Sequence, residues 1–214
     1  MKVTVQDSVK SVRPHLIACL VLNLSFTDET FKKFIQLQTK LHDTICEKRN
    51  VATIATHDAT KLLGSDLVYT ALTPTALRIK PLHSNQELTG AQLFKKLQIE
   101  ADNLRKEKKR NVYTGIHKYL YLLEGKSHYP CLLNSNDEVI SFPPITNSDL
   151  TKMITSTTSL LIEVTSSVSQ GVCKKVADTL IKEMLSLFGN LTIQQVKKTI
   201  FVFFHKKYAF LTHI

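Results

Sequence analysis

The chain has 214 residues, 43% hydrophobic and 21% charged, the balance of a folded globular protein and not of a disordered one. Its 28 Lys and Arg against 18 Asp and Glu leave a formal charge of +10, which suits a polyanion such as RNA; charge alone serves an anionic membrane equally well. Cys19, Cys46, Cys131 and Cys173 are scattered with no C-x-x-C pair, which argues against a zinc cluster or a disulfide framework and for reduced thiols in a cytosolic protein. The start "MKVTVQDSVKSVRP" lacks the apolar core of a signal peptide, and no apolar run approaches the ~18 residues of a membrane span. The expectation is a soluble, cytoplasmic chain with no membrane partner.

In chain order, "HLIACLVLNL" (15–24) predicts a buried strand between Pro14 and the polar "SFTDET". Thr27 is a candidate N-cap, with Asp28 and Glu29 in the first turn of a helix. Its periodicity carries through Phe31, Phe34, Ile35, Gln38, Leu41, His42 and Ile45 to the cations Lys48 and Arg49. "VATIATHD" (51–58), "LVYTAL" (67–72) and "LRIKPL" (77–82) predict further strands. A second helix should start near Thr89, where "TGAQ" supplies a capping-box pair, and bury Leu93, Phe94, Leu97, Ala101 and Leu104 before running into "RKEKKR" (105–110). "HYPCLLNSNDEVISFPP" (128–144) predicts a hairpin around Asn134–Asp137, ended by two prolines that offer no backbone N–H. "LLIEVT" (160–165) is another strand, and Val168, Val172, Val176, Leu180, Met184 and Phe188 mark a third helix. The apolar "TIFVFF" and "YAFLTHI" of the tail suggest a terminal hairpin. Interleaved strands and helices, with a hairpin where strict alternation would put a helix, indicate a mixed α/β or α+β fold.

Three constellations are candidates for chemistry. Lys95, Lys96, Arg105, Lys106, Lys108, Lys109 and Arg110 form a basic stretch suited to the backbone of RNA, with Tyr113 and His117 nearby as stacking groups; a solvated helix end is the plain alternative. "ATHD" places His57 and Asp58 at a strand end, although adjacent strand residues face opposite ways. Glu163 interrupts an apolar strand and becomes a site candidate if it points inward. His42 and Cys46 have metal-ligand spacing on one helix face, but with no second pair nearby packing is the better reading. No Gly-rich phosphate loop, G-x-S-x-G or H-E-x-x-H occurs, so neither cofactor nor metal is expected.

The segments "RPHLIACLVLNL", "FIQLQTKLHDTICEKR", "ATIATHD", "LRIKPL", "YPCLLNSNDEVISFPPITNSD" and "LLIEVTS", in this order, resemble the B3/B4 domain of the phenylalanyl-tRNA synthetase β subunits of eukaryotes and archaea. The long basic insert, and Ser148 where the synthetase pattern has glycine, resemble more closely the C-terminal region of the leucine-rich repeat-containing protein 47 family. The resemblance implies a compact B3/B4-type domain with a β-sandwich-like core flanked by helices. It spans residues 1–189, with the basic helical insert at about 89–118 and an unassigned tail, 190–214. In the synthetase this domain hydrolyses tyrosine wrongly joined to the phenylalanine tRNA. By that likeness His57 and Glu163 are the catalytic candidates, and Thr56, Asp58, Pro143, Pro144, Ile145, Asn147 and Ser148 line the substrate pocket. Serine at 148 implies a poorer fit, since glycine alone takes positive φ or admits a ligand to the backbone without cost.

The first functional expectation is an RNA- or tRNA-associated module, ribosome-linked or not, without aminoacylation activity and without DNA as partner. An editing hydrolase acting on mischarged tyrosyl-tRNA(Phe) is the alternative. A third is a protein-interaction module that docks an acidic partner on the basic helix.

Overall fold

A computed structural model describes residues 1–107 and 115–200. The strands are β1 (Lys2–Val5), β2 (His15–Leu22), β3 (Ala52–Asp58), β4 (Asp66–Leu72), β5 (Arg78–Ile79), β6 (Leu88–Thr89), β7 (Tyr129–Leu133), β8 (Val139–Phe142), β9 (Thr146–Asn147), β10 (Leu160–Ser166), β11 (Thr192–Gln195) and β12 (Lys197–Ile200). The α-helices are α1 (Asp28–Asp43), α2 (Gly90–Glu107) and α3 (Gln170–Phe188). One sheet runs β12-β1-β4-β7-β8-β9 and the other β11-β2-β10-β3, with β5 and β6 as a separate short ladder. The mixed α/β class read from the sequence is the one observed.

Three buried clusters define four layers. Leu160, Ile162 and Val164 of β10 pack with Phe34 and Leu41 of α1 and Val176, Leu180 and Met184 of α3. The opposite face of the same sheet, with Leu16, Ala18 and Leu161, meets Val3, Leu67, Tyr69, Leu132 and Ile140 of the larger sheet. The far side of the larger sheet is covered by Leu93, Leu97 and Ala101 of α2 and by Tyr119 and Leu120 of a 3-10 segment, Gly115–Leu122. Because both its faces are covered, β10 reads as seven consecutive buried residues without polar alternation.

Local chemistry explains most boundaries. The Thr27 hydroxyl accepts the Thr30 N–H at 3.1 Å while Thr30 Oγ1 accepts the Thr27 N–H at 2.8 Å, a reciprocal cap that starts α1. Thr89 and Gln92 close the same kind of box at 3.1 and 2.9 Å before α2. In the β7–β8 turn, the Asn134 side-chain carbonyl accepts the N–H groups of Asn136 and Glu138 at 3.0 Å each.

Four segments differ from their sequence reading. Helix α1 stops at Asp43 instead of reaching Arg49: Glu47, Lys48 and Arg49 all adopt left-handed φ of 49°, 55° and 67°, which no helix can continue. Of "LRIKPL" only Arg78 and Ile79 enter a ladder; Pro81 instead forms an isolated bridge with Ser148, framed by the Asp149 N–H to the Lys80 carbonyl at 2.9 Å and the Leu82 N–H to the Asn147 carbonyl at 3.1 Å. Val168 lies outside α3, 56% exposed, because the Ser169 hydroxyl accepts the Val172 N–H at 3.1 Å and begins the helix there. Beyond residue 189 the chain adds an edge strand to each sheet: β11 pairs with β2, and β12 runs parallel to β1. The hairpin read from "TIFVFF" and "YAFLTHI" begins at Thr199 and Ile200, which belong to β12, and its remainder, 201–214, lies outside the described residues.

Val196, between β11 and β12, is 3% exposed among the inter-sheet residues. Burying a valine is worth about 1.5–3 kcal/mol. A chain ended at Gly189 should therefore lose at least about 2 kcal/mol of unfolding free energy in urea titrations. An unchanged midpoint would show that the two edge strands do not belong to the cooperative unit.

Candidate functional site

A cavity of about 790 Å³ opens beside β3, the edge strand of the smaller sheet. Phe31, Ile35 and Gln38 of α1, Thr53 to Thr56 of β3, and Leu93 and Leu97 of α2 contribute to its walls. The turn after β8 adds Pro143, Pro144, Ile145 and Asn147, and β10 adds Glu163 and Thr165.

Strand alternation sets the floor. Leu161, Glu163 and Thr165 share the face of β10 that looks toward the other sheet, and the residues flanking Glu163 on the adjoining strands are Ala18 and Ala55. Two alanines leave room where larger side chains would fill the gap. Glu163 is 1% exposed, and among the described residues no group donates a hydrogen bond to either carboxylate oxygen. An unpartnered buried carboxylate costs several kcal/mol, so this group stands ready for a donor. Its nearest cation candidate is His57, with Nε2 at 3.5 Å from Oε2 and no hydrogen bond between them.

The residues read from sequence divide into two sets. Thr56, Pro143, Pro144, Ile145, Asn147 and Glu163 line the cavity. Asn147 Nδ2 donates to the Thr56 carbonyl at 3.1 Å and so closes part of the β3 edge. His57, Asp58 and Ser148 are not among the lining residues. His57 is fully buried beside Glu163, off the cavity lining, with its Nδ1 hydrogen-bonded to the Thr151 hydroxyl at 2.8 Å. Asp58 faces the other way, as alternation requires: Oδ1 accepts the Thr60 N–H and hydroxyl at 3.0 and 2.6 Å, and Oδ2 accepts the Thr157 hydroxyl at 2.7 Å. Burial raises the Asp58 pKa, but the hydrogen bonds from Thr60 and Thr157 offset this and hold it below the ordinary value.

Ser148 has φ −78°, so the position requires no glycine. Its hydroxyl donates to the Lys80 carbonyl at 3.1 Å and accepts the Leu150 N–H at 3.2 Å, a structural cap behind the wall. The poorer fit expected from serine therefore has no basis in backbone geometry.

Two residues of the site escape sequence reasoning. Arg49, read as a helix-terminal cation, is turned inward by the left-handed run before it. It donates to the carbonyls of Pro144 and Ile145 at 2.8 and 2.9 Å, and its guanidinium lies 4.4 Å from the centre of the Tyr119 ring. Its Nε is buried without a partner. Ser141, 1% exposed, also lines the cavity with an unpartnered hydroxyl. A polar residue inside the apolar "VISF" is the only sequence signal for it; nothing in "CEKRN" announces three left-handed residues.

His42 and Cys46 serve packing. The His42 Nε2 accepts the Ile54 N–H at 2.9 Å, and burial pushes the Cys46 thiol up to about 12. Among the described residues no cluster of three ligating side chains exists. On α2, Lys95, Lys96, Arg105 and Lys106 are exposed, with Lys96 4.0 Å from Glu100 and Arg105 4.0 Å from Asp102. Lys108, Lys109, Arg110 and Tyr113 lie outside the described residues. His117 is half-buried, 3.5 Å from Glu100, and is not an open stacking platform.

No protein-family model matches the chain. The phenylalanine–tRNA ligase β subunit of Homo sapiens is 34% identical over 167 residues, covering 77% of this chain and 26% of the relative. That of Archaeoglobus fulgidus is 35% identical over 164 residues, covering 77% and 27%. An N-terminal fragment of the phenylalanyl-tRNA synthetase β subunit from Pyrococcus horikoshii superposes with a TM-score of 0.76 at 25% identity, over 93% of this chain and 52% of that one. The chain is homologous to the B3/B4 region of the phenylalanyl-tRNA synthetase β subunit. It spans about a quarter of the length of the curated synthetase subunits it matches.

The cavity wall offers a test through His42, which lines it. Burial, then the neighbouring Arg49 cation, push the His42 pKa down from 6.5 to about 3, keeping the ring a neutral acceptor for Ile54. The unfolded chain then binds a proton that the folded one refuses. Stability from this group is full above pH 6.5 and falls as the pH drops toward 3, on the order of a few kcal/mol in all. In His42→Gln, which keeps an acceptor but does not titrate, the fall in unfolding free energy over that window should be shallower; identical slopes would contradict the neutral buried ring.

Proposed function

We propose that this chain is a tRNA-associated module whose cavity receives the aminoacyl end of a tRNA. One observation carries the reading: the Glu163 carboxylate, buried at the floor of an otherwise mainly apolar cavity, accepts no hydrogen bond from the described residues. An aromatic side chain fills such a space, and a phenolic hydroxyl donates to the carboxylate. Ser141 lines the same cavity with a hydroxyl free to join that contact. Tyrosine meets these requirements and phenylalanine leaves the carboxylate unpaired, so the pocket selects tyrosine. The exposed cations of α2, a helix that also lines the cavity through Leu93 and Leu97, suit the phosphate backbone beyond the amino acid.

Hydrolysis of the ester is the second reading, favoured by the buried Arg49 Nε, a cationic donor without a partner on the same wall. Such a donor stabilises the charge that develops on an ester oxygen. His57 has no direct part in it, being fully buried beside Glu163 and off the cavity lining. The basic insert and Ser148 further support a place near the leucine-rich repeat-containing protein 47 family.

Filter binding should show tyrosyl-tRNA(Phe) held about tenfold to a hundredfold more tightly than phenylalanyl-tRNA(Phe), the worth of one hydrogen bond to a charged group, with the preference reduced in Glu163→Gln, whose amide oxygen is a neutral acceptor. Equal affinities for the two in the wild-type chain would refute the reading. The same tyrosyl-tRNA, followed over time, decides the second: release of tyrosine faster than the spontaneous rate, slowed in Arg49→Lys, supports hydrolysis, and a spontaneous rate excludes it.

A further inference from the structure

We propose that His83 and Lys152 form a phosphate site at the mouth of the cavity, occupied by the phosphodiester next to the esterified 3′ end of the RNA. This rests on the aminoacyl-tRNA reading and names residues for a part of the ligand that the cavity itself does not hold.

Both side chains line the cavity, His83 exposed and Lys152 half-buried, so the pair stands at the solvent side and not at the floor. Lys152 Nζ lies 3.2 Å from His83 Nδ1. An ammonium can only donate, so the Nδ1 of His83 carries the lone pair and its Nε2 carries the proton. The pair therefore presents two kinds of donor, the remaining ammonium N–H groups and the imidazole Nε2–H, and phosphate oxygens accept from both. Among the described residues Lys152 has no carboxylate within ion-pair distance, whereas Lys118, the other lysine on the lining, is paired with Asp43 at 2.9 Å. The nearby Asp149 carboxylate accepts the backbone N–H of His83 at 3.2 Å.

The pair is held in place before any ligand arrives. His83 sits at φ 63°, a left-handed conformation that a residue with a Cβ adopts at a cost. The turn that contains it is stitched to the segment before Lys152: the Leu82 N–H donates to the Asn147 carbonyl at 3.1 Å, and the Asp149 N–H donates to the Lys80 carbonyl at 2.9 Å. Lys61 Nζ, itself 3.9 Å from Asp58 Oδ2, donates to the Lys152 carbonyl at 2.5 Å and helps to fix that segment. A strained turn fixed by several hydrogen bonds, holding an unpaired cation against an imidazole, is the arrangement an anion needs and a plain surface does not.

The test uses the whole chain and an RNA hairpin ending in CCA. Log affinity against log salt is measured for the wild type, Lys152→Gln and, on the exposed face of α3, Lys182→Gln. Losing one phosphate contact lowers the magnitude of the slope by about one, so Lys152→Gln should show that change and Lys182→Gln should not. His83→Asn, which tolerates the left-handed backbone, should weaken RNA binding several-fold while the chain stays folded. The side-chain 1H–15N signals of His83 should move on adding the RNA, at concentrations where inorganic phosphate leaves them in place. Equal slopes for Lys152→Gln and Lys182→Gln overturn the proposal. Movement of His83 with inorganic phosphate at those same concentrations overturns its assignment to RNA. Loss of the tyrosyl preference with the Lys152 slope effect intact would instead refute the aminoacyl reading and leave the phosphate site standing.

Discussion

A carboxylate buried between two sheets is the constraint around which this molecule is arranged. Glu163 lies on β10, an interior strand of the smaller sheet, on the face toward the larger one, where Leu161 on the same face joins the inter-sheet core. A charged group in such a place is tolerated only if something offsets its lost hydration. The fold offers the His57 ring at 3.5 Å, without a hydrogen bond, and otherwise a cavity. A ligand that brings a hydrogen-bond donor to Glu163 offsets that cost and is thereby preferred.

The walls follow from the need to keep that cavity open at the edge of a sheet. An edge strand exposes unpaired backbone groups, and β3 is nonetheless buried along its whole length. The side-chain amide of Asn147 takes one of its carbonyls, and α1 lies over the strand through Gln38 and His42. The proline turn after β8 stands opposite, its carbonyls held by Arg49. Arg49 reaches them only because three consecutive residues accept left-handed φ, a cost of roughly 1–3 kcal/mol each that the surrounding contacts offset. Strain, cation and proline turn thus form a single wall.

Much of this architecture is legible in the sequence, and the reasons are local. Thr27, Thr89 with Gln92, and Asn134 write their caps and turn in side-chain chemistry, so α1, α2 and the β7–β8 hairpin begin where the residues say. Glu163 is legible as an anomaly in an apolar strand, since a carboxylate there is either exposed or functional. Arg49 and Ser141 are not, because their placement depends on a backbone conformation and on a facing sheet that no short stretch of sequence encodes. His57 and Asp58 show the opposite failure. Adjacent and chemically suggestive, they are separated by the two-residue alternation of a strand into a support for Glu163 and a cap for the turn that follows. The double proline of "ISFPPITNSD" is both a strand terminator and a cavity wall, whereas its Ser148 is scaffold.

The measurement closest to the central claim is calorimetric binding of L-tyrosinamide and L-phenylalaninamide to the wild-type chain and to Glu163→Gln, each checked for folding. The account predicts that the wild type binds tyrosinamide at least about tenfold more tightly, the contribution of a hydrogen bond to a charged acceptor, and that the variant, with a neutral acceptor, shows a smaller preference. Equal binding of both ligands by the wild type, or an undiminished tyrosinamide preference in the variant, would contradict it.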